Sequence, residues 1–169
     1  MNFRVRQMKD RKRVILGIDP GFAILGYGVI EESAGEENSI CFGCLRTSVK
    51  ENFVERLEQI YKGVNSLIKE YKPDEIAIEK IFFAKNAKTA MQIGEVRGII
   101  LLTAIQNKVP IFEYTPLQVK LTIASYGQAD KSQIQKMVKL ILKLKEIPKP
   151  DDAADALAIA ITHCHSKRK

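Results

Sequence analysis

Short apolar runs that end at a turn signal or at an acid predict the strands of this chain. The run VILGID at 14–19 is apolar without alternation, which is typical of a strand buried on both faces, and Pro20-Gly21 ends it. The next two runs favour strand structure and are separated by a polar segment, so they predict an antiparallel continuation. The later strands are predicted at ILGYGVIEE (24–32), SICFGCLRTS (39–48), EIAIE (75–79) and PIFEY (110–114).

Apolar residues that recur every three or four positions predict the helices. Residues 53–71 carry this repeat until Pro73 forbids its continuation. Residues 87–107 are apolar most of the way round, so we expect neighbours to cover that helix on two sides, and Gly94 and Gly98 within it permit close helix contact. Further helices are predicted over 116–127, from the capping box of Asp130 and Gln133 to about Leu144, and from about Asp152 onward.

The order of these elements predicts one α/β domain, with a mixed sheet of three antiparallel strands plus parallel inner strands, flanked by helices. A chain of 169 residues is long enough to bury a sizeable core. We expect residues 1–13 to be a basic, disordered N-terminal extension, residues 14–165 to form the domain, and residues 166–169 to be a basic tail.

Positive charge is concentrated in the tails and in one internal segment. The chain has 27 Lys and Arg against 20 Asp and Glu, but residues 1–13 hold six of the cations and the last three residues hold three more. The body is therefore nearly neutral, and overall charge alone is weak support for nucleic-acid binding. Residues 119–149, with seven Lys against two acids, still predict a locally positive face.

Three cysteines without a credible signal peptide favour a reducing compartment, so we expect a cytoplasmic protein without a disulfide framework. No apolar stretch reaches 18 residues, so no membrane span is predicted. Cys41 and Cys44 have zinc-ligand spacing, but within a strand these positions point to opposite faces. Gly21 and Gly26 have phosphate-loop spacing, but Tyr27 stands where that loop needs Lys.

Four acids stand where the predicted fold would bring them together. Asp19 and Glu79 end two inner strands, and open α/β sheets place their sites at such strand ends. Asp152 and Asp155 are three positions apart in the first turn of the last helix, where the helix dipole favours negative charge. An N-cap role would explain Asp151 or Asp152 taken alone, but it does not explain Asp155.

Converging carboxylates predict a metal site and a hydrolytic reaction. Like charges repel unless a proton or a metal separates them, and hard oxygen ligands suit Mg²⁺ or Mn²⁺. Two such ions, roughly 3.5–4 Å apart, activate water and stabilise the leaving oxygen of a phosphodiester. Phosphodiester hydrolysis is therefore the leading hypothesis for the chemistry.

Five motifs, in one order and spacing, resemble the RuvC family of Holliday-junction resolvases from Val14 to His165. They are ILGIDPG with GYGVI, AIEKIFFAKNAKTAMQIGEVRGI, QVK, DKSQIQKMV and DDAADALAIAITHCH. The resemblance implies an RNase H-like fold and a catalytic, metal-binding tetrad of Asp19, Glu79, Asp152 and Asp155, with Asp151 outside it. It also implies a homodimer that nicks two opposed strands of four-way junction DNA by Mg²⁺-dependent hydrolysis, with two ions per site and Mn²⁺ as a substitute.

The segment after Glu79 mixes cations with aromatic residues. Lys80, Lys85 and Lys88 surround Phe82 and Phe83, a combination that suits phosphate contact with base stacking, although burial of both rings in the core is the alternative. The resemblance implies that Phe82 probes the junction.

Basic residues later in the chain are further candidates for DNA binding. Lys120 and Lys131 match family residues near the scissile phosphate, where an ammonium neutralises charge that develops in the transition state. The remaining lysines predicted to form a solvated, phosphate-facing stripe are Lys136, Lys139 and Lys143.

Other functions share parts of this pattern. An actin-like ATPase shares the GIDPG strand end but needs a far longer chain, and a non-catalytic junction-binding protein would not need four acids. An RNase H-type ribonuclease uses the same carboxylates, and metal chemistry does not read the sugar, so the residues leave this alternative open. The resemblance also suggests RuvA/RuvB-type branch-migration proteins as partners, which the residues themselves leave open.

Overall fold

The computed structural model describes residues 12–80 and 87–166, with Ala87 and Lys88 described by backbone alone. The strands are β1 (Arg13–Asp19), β2 (Ile24–Ser33), β3 (Glu36–Arg46), β4 (Glu75–Glu79) and β5 (Ile111–Tyr114). The helices are α1 (Phe53–Tyr71), α2 (Ala87–Gln106), α3 (Pro116–Ala124), α4 (Lys131–Ile141) and α5 (Asp151–Ser166).

The strands form one mixed sheet in the order β3-β2-β1-β4-β5. β1, β2 and β3 pair antiparallel, and β1, β4 and β5 pair parallel. β1 is buried on both faces, because Ile15 packs on one side of the sheet while Leu16 and Ile18 pack on the other. The predicted fold class, an RNase H-like mixed sheet flanked by helices, is confirmed.

Two apolar layers sandwich this sheet. On one side α1 and α2 pack against residues such as Leu16, Ile18 and Ile78. On the other side α5 lies against the sheet, and α3 and α4 pack over it. None of the described helices combines the length and apolar character needed to cross a membrane.

Some element boundaries differ from the predicted ones. The connection between β2 and β3 is only Ala34-Gly35, both with positive φ (52° and 86°), so Glu36 already belongs to the strand predicted to begin at 39. Such two-residue turns match the right-handed twist of paired strands. α4 ends at Ile141 rather than near Leu144, because the chain enters the left-handed region at Lys143 (φ 52°).

α2 is covered less completely than predicted. Val96 and Ile100 are buried against the sheet, whereas Met91, Leu102 and Ile105 are 68%, 51% and 73% exposed. A Cβ added at Gly94 or Gly98 would meet no atom within 4 Å other than its chain neighbours and the backbone of its own helix turn. These five positions recur at helical spacing and define an apolar α2 face that no other element described in 12–80 and 87–166 covers.

A chain of polar contacts fixes the C-terminal half of α5. His163 is fully buried, and its Nδ1 lies 2.6 Å from the hydroxyl of Tyr114 while its Nε2 lies 2.7 Å from the carboxylate of Glu75. Arg13 pairs with Glu75 at 3.0 Å and also with Glu32. Buried polar groups with such partners hold the helix in one position against β1, β4 and β5.

Candidate active site

Asp19 and Glu79 end neighbouring parallel strands and therefore lie side by side. In the register of β1 and β4, Ile18 pairs with Ile78, so the next residue of each strand is an acid at the same sheet edge. Ile18 and Ile78 both pack towards α1 and α2. Because side chains alternate along a strand, Asp19 and Glu79 are both directed to the opposite face, where α5 lies.

Glycines in the sheet let the first turns of α5 reach these strand ends. A Cβ added at Gly17 would lie 2.1 Å from the carbonyl oxygen of Ala156, and one added at Gly26 would lie 2.0 Å from that of Asp152. Ala153, Ala154 and Ala156 are fully buried in the contact. The sequence pattern indicated the small residues of the helix, but it did not identify these glycines as their counterpart.

This close packing brings the acids into one electrostatic group. Burial raises the pKa of Asp19 to about 7, with smaller contributions from the charges of Glu79, Asp155 and Asp152. Burial also raises the pKa of Glu79, and the charge of Asp155 adds to the shift. For Asp155 burial again outweighs an opposing contact with Lys131, so its pKa is raised too. In each of these acids burial is the larger cause and the neighbouring carboxylates add to it, so bringing further negative charge together here is unfavourable.

A cleft of about 260 Å³ opens between the strand ends, α3, α4 and α5. Asp19, Glu79 and Asp155 contribute acids to its wall, and Lys120 and Lys131 contribute cations. Its other lining residues are Pro116, Val119, Ala129, Asp130, Ile134, Ala158 and Ile159. Asp152 acts on Asp19 through its charge but is not part of this wall. An apolar floor beneath polar groups lowers the local dielectric and strengthens their interactions.

The donor set suits a hard divalent cation. Within 12–80 and 87–166, no three His, Cys, Asp or Glu side chains are already grouped closely enough to enclose an ion. Burial, with smaller contributions from the charges of Glu79, Asp155 and Asp152, raises the pKa of Asp19 to about 7, so added positive charge would be favourable there. Carboxylate oxygens are the ligands that Mg²⁺ and Mn²⁺ prefer.

Cys41 and Cys44 lie on opposite faces of β3, as alternation along a strand requires. Cys41 packs on the α1 side of the sheet. Cys44 lies on the α5 side, where the charge of Asp152 contributes to its raised pKa behind the larger effect of burial. The two thiols therefore do not converge on one ion.

The predicted DNA-binding residues fall into two groups. Lys80 is exposed immediately after Glu79, and Lys120 and Lys131 line the cleft. Phe82, Phe83 and Lys85 lie outside the described residues, as does the side chain of Lys88. In the predicted lysine stripe, Lys136 and Lys143 are exposed and Lys139 is half-buried.

Comparison with known proteins adds an independent finding. A family model described as "Crossover junction endodeoxyribonuclease RuvC" matches residues 15–163. Curated relatives of that name from Caldanaerobacter subterraneus subsp. tengcongensis and Caldicellulosiruptor saccharolyticus are 53% identical over 152 residues and 56% identical over 150. These alignments cover 90% and 88% of this chain and 92% and 90% of the relatives. A solved structure, T. thermophilus RuvC in complex with Holliday junction substrate, is similar with a TM-score of 0.87 and 37% identity, over 92% of this chain and 95% of that one.

Proposed function

Because the chain belongs to the RuvC family of crossover junction endodeoxyribonucleases, we propose that Asp19, Glu79, Asp152 and Asp155 are the residues with which it cuts DNA. As a member of this family it is a metal-dependent endonuclease that resolves Holliday junctions in DNA recombination and repair. The observation that carries the assignment of residues is that Asp19 and Glu79, at the ends of neighbouring parallel strands, line one cleft together with Asp155 of α5.

Mg²⁺ is the metal that we propose for this site, two ions per site, with Mn²⁺ able to substitute. Asp19, Glu79, Asp152 and Asp155 would hold the ions through carboxylate oxygens, because Asp19, Glu79 and Asp155 line one cleft and the charge of Asp152 acts on Asp19 beside it. When bound, divalent ions supply the positive charge that activates the attacking water and stabilises the leaving oxygen.

Hydrolysis itself forms one bond and breaks one bond at phosphorus. The oxygen of water joins the phosphorus, the ester bond to the leaving sugar oxygen breaks, and the proton released from water balances the one that the leaving oxygen gains. Lys120 and Lys131 face the cleft, where their ammonium groups would neutralise the charge that accumulates on the phosphate oxygens. The products are two ends that a ligase can rejoin.

We assign junction contact to the segment that follows Glu79. Lys80, Lys85 and Lys88 would contact phosphates, and Phe82 and Phe83 would stack on bases at the crossover. The exposure of Lys80 next to a cleft-lining acid supports this assignment. We also propose that the basic extension expected at 1–13 and the tail expected at 166–169, on either side of the nuclease domain expected at 14–165, contact the DNA backbone. Arg13, the last residue of that extension, lies in β1 and pairs with Glu32 and Glu75.

A homodimer would supply the two sites that paired, symmetric nicks require. The apolar α2 face supports it, since Met91, Leu102 and Ile105 are exposed and the space above Gly94 and Gly98 is open to a second helix. We also propose branch-migration proteins of the RuvA and RuvB type as partners on the same junction, and the cytoplasm as the compartment where chromosomal DNA is met.

The function is tested with synthetic DNA and purified protein. A four-way junction, a linear duplex of the same sequence and an RNA–DNA hybrid are incubated with and without Mg²⁺, beside Glu79→Gln as the inactive control. We expect paired nicks in the four-way junction and in neither of the other two substrates, and only when Mg²⁺ is present. Light scattering should give the mass of a dimer. Preferred cleavage of the hybrid would favour a ribonuclease, and cutting by Glu79→Gln at the parent rate would remove the proposed site.

A further inference from the structure

Lys131 lies between two acids of α5. Its Nζ is 3.0 Å from Oδ2 of Asp155 and 3.6 Å from Oδ2 of Asp151. Asp155 is one of the four proposed metal-binding acids, whereas Asp151 has no role in the proposed chemistry. One ammonium group therefore joins a functional carboxylate to a carboxylate without an assigned purpose.

The position of Lys131 is unfavourable for helix α4 itself. It is the first residue of that helix, directly after the N-cap Asp130. The N-terminal end of a helix carries positive partial charge, so a lysine there is repelled rather than stabilised. The N-terminal end of α5, which faces it, favours acids for the same reason, so it is the acids of α5 that hold the lysine at the cleft.

Asp151 differs from its neighbours in what it faces. The charges of all three acids act on Lys131, and those of Asp152 and Asp155 also act on the buried carboxylate of Asp19, whereas the contact of Asp151 is with Nζ of Lys131. Its side chain is 61% exposed, compared with 32% for that of Asp155, and it is not part of the cleft wall. Asp151 is therefore placed to hold the lysine from the solvent side.

Metal binding would change the partners of this lysine. If Asp155 gives its oxygens to a divalent cation, as the proposed function requires, Lys131 loses the nearer of its two carboxylates. We propose that Asp151 is a positioning residue, which keeps the Lys131 ammonium at the mouth of the cleft, beside the scissile phosphate, once Asp155 is occupied. This inference rests on the proposed function, because it takes Asp155 as a metal ligand.

A structural role for Asp151 makes a different prediction. An acid in the first turn of a helix stabilises that helix through the dipole, whether or not Lys131 is present. Loss of that contribution would lower stability equally in chains with and without the lysine, and it would leave the rate of DNA cutting unchanged. The two roles are therefore separated by a double-mutant cycle that joins Asp151 and Lys131.

The cycle compares the parent, Asp151→Asn, Lys131→Ala and the double variant in single-turnover junction cleavage. We expect Asp151→Asn to slow cleavage about three- to fivefold, in the upper part of the range of an exposed ion pair, without changing junction affinity. In the Lys131→Ala background the same change should have almost no effect, and Asp151→Glu should restore the rate. Equal slowing in both backgrounds, or no slowing in the parent, would overturn the proposal.

A second measurement does not depend on activity. Thermal-shift titration with Mn²⁺ reports the apparent metal affinity of each variant in the absence of DNA. Among the described residues, Asp151 and Asp155 are the carboxylates in ion-pair contact with Lys131. Without Asp151 the lysine loses both contacts when it releases Asp155, so Asp151→Asn should weaken Mn²⁺ binding more in the parent than in the Lys131→Ala chain. An equal change in both would show a general charge effect and contradict the proposal.

Two further variants complete the design. Glu146→Gln removes one exposed acid from the segment before α5 and should leave both cleavage and metal binding as in the parent. Glu79→Gln reports on the proposed function: if it still cuts, the site itself is wrong. If it is inactive while the cycle is additive, only the role of Asp151 fails.

Discussion

The two ends of helix α5 hold similar residues in opposite electrostatic states. At its first turn, Asp152 and Asp155 join Asp19 and Glu79, and burial together with mutual repulsion raises the pKa of Asp19 to about 7. At its last turns, each nearby acid has a basic partner: Glu75 contacts His163 and Arg13, and Glu37 contacts His165. The difference lies in the balance of charge, since both ends are partly buried.

This contrast separates the acids that we propose to act in catalysis from those that stabilise the fold. A buried acid with a matched partner contributes to a fixed structure, and its cost of burial is offset within the chain. Buried acids without enough partners destabilise the free protein and gain a favourable state only when a cation arrives. The cluster of acids at the N-terminal end of α5 therefore destabilises the metal-free fold. In a metal-dependent nuclease, a bound cation offsets this cost.

The largest expected effect is loss of activity at the charged end. Asp152→Asn keeps the shape of the side chain but removes one negative charge from the site, so junction cleavage should fall by about 1,000-fold. Junction binding, measured by gel shift without metal, should remain within about twofold because it depends on the lysines. Unchanged cleavage would show that the charge surplus is not catalytic.

The opposite end should respond in stability and not in activity. His163→Ala leaves the Tyr114 hydroxyl and the Glu75 carboxylate without this partner and opens a cavity, so the free energy of unfolding should fall by about 3 kcal/mol. Urea denaturation measures this fall, and cleavage per folded molecule at low temperature should stay within about twofold. His165→Ala is the matched control on the same helix, with a smaller loss expected because that ring is partly exposed. Loss of cleavage by His163→Ala without loss of stability would contradict the proposed difference between the two ends of α5.

Much of the acid cluster at the N-terminal end of α5 could be predicted from sequence, because the patterns that indicate it are local. Asp19 and Glu79 each follow an apolar run, and Asp152 and Asp155 have helical spacing, so strand ends and helix periodicity were sufficient to group them. The mixed character of the sheet, with three antiparallel strands plus parallel inner strands, followed from the element types and from the resemblance. Such signals depend on neighbours within a few positions and survive without knowledge of the tertiary structure.

The ion pairs at the C-terminal end of α5 could not be predicted in the same way. Glu75 and His163 are 88 residues apart, and nothing in either local pattern indicates their contact. The same holds for Lys131 with Asp151, and for Gly17 and Gly26 beneath α5, where the reason for glycine is a backbone that arrives from the other end of the chain. Contacts between residues far apart in the sequence depend on how the elements pack. The periodicity of a single segment does not specify that packing.

Substitution of Asp19 should raise the free energy of unfolding, by less than His163→Ala lowers it. Its pKa is about 3.8 when exposed and about 7 in the fold, so the folded state holds a proton that the unfolded chain has lost. Stability should therefore fall as pH rises from about 4 to about 7, and the full penalty should remain above that range. In metal-free protein at pH 8, Asp19→Asn should raise the free energy of unfolding by about 2 kcal/mol, with little change near pH 4. A parent whose stability does not change with pH, alongside an unchanged variant, would contradict the charge surplus.

The smallest effects should come from two adjacent acids of β3, which test whether burial or pairing determines the importance of an acid. Glu37 is 7% exposed and contacts His165 at 3.0 Å, whereas Glu36 is 67% exposed and contacts Lys143 at 3.4 Å. Glu37→Gln should lower the free energy of unfolding by about 1 kcal/mol because a buried charged hydrogen bond is weakened. Glu36→Gln should change it by less than about 0.5 kcal/mol, since water solvates both of its partners. Urea denaturation of the two variants side by side measures the difference. Equal losses of unfolding free energy would mean that pairing alone, without burial, determines how much these two acids stabilise the fold.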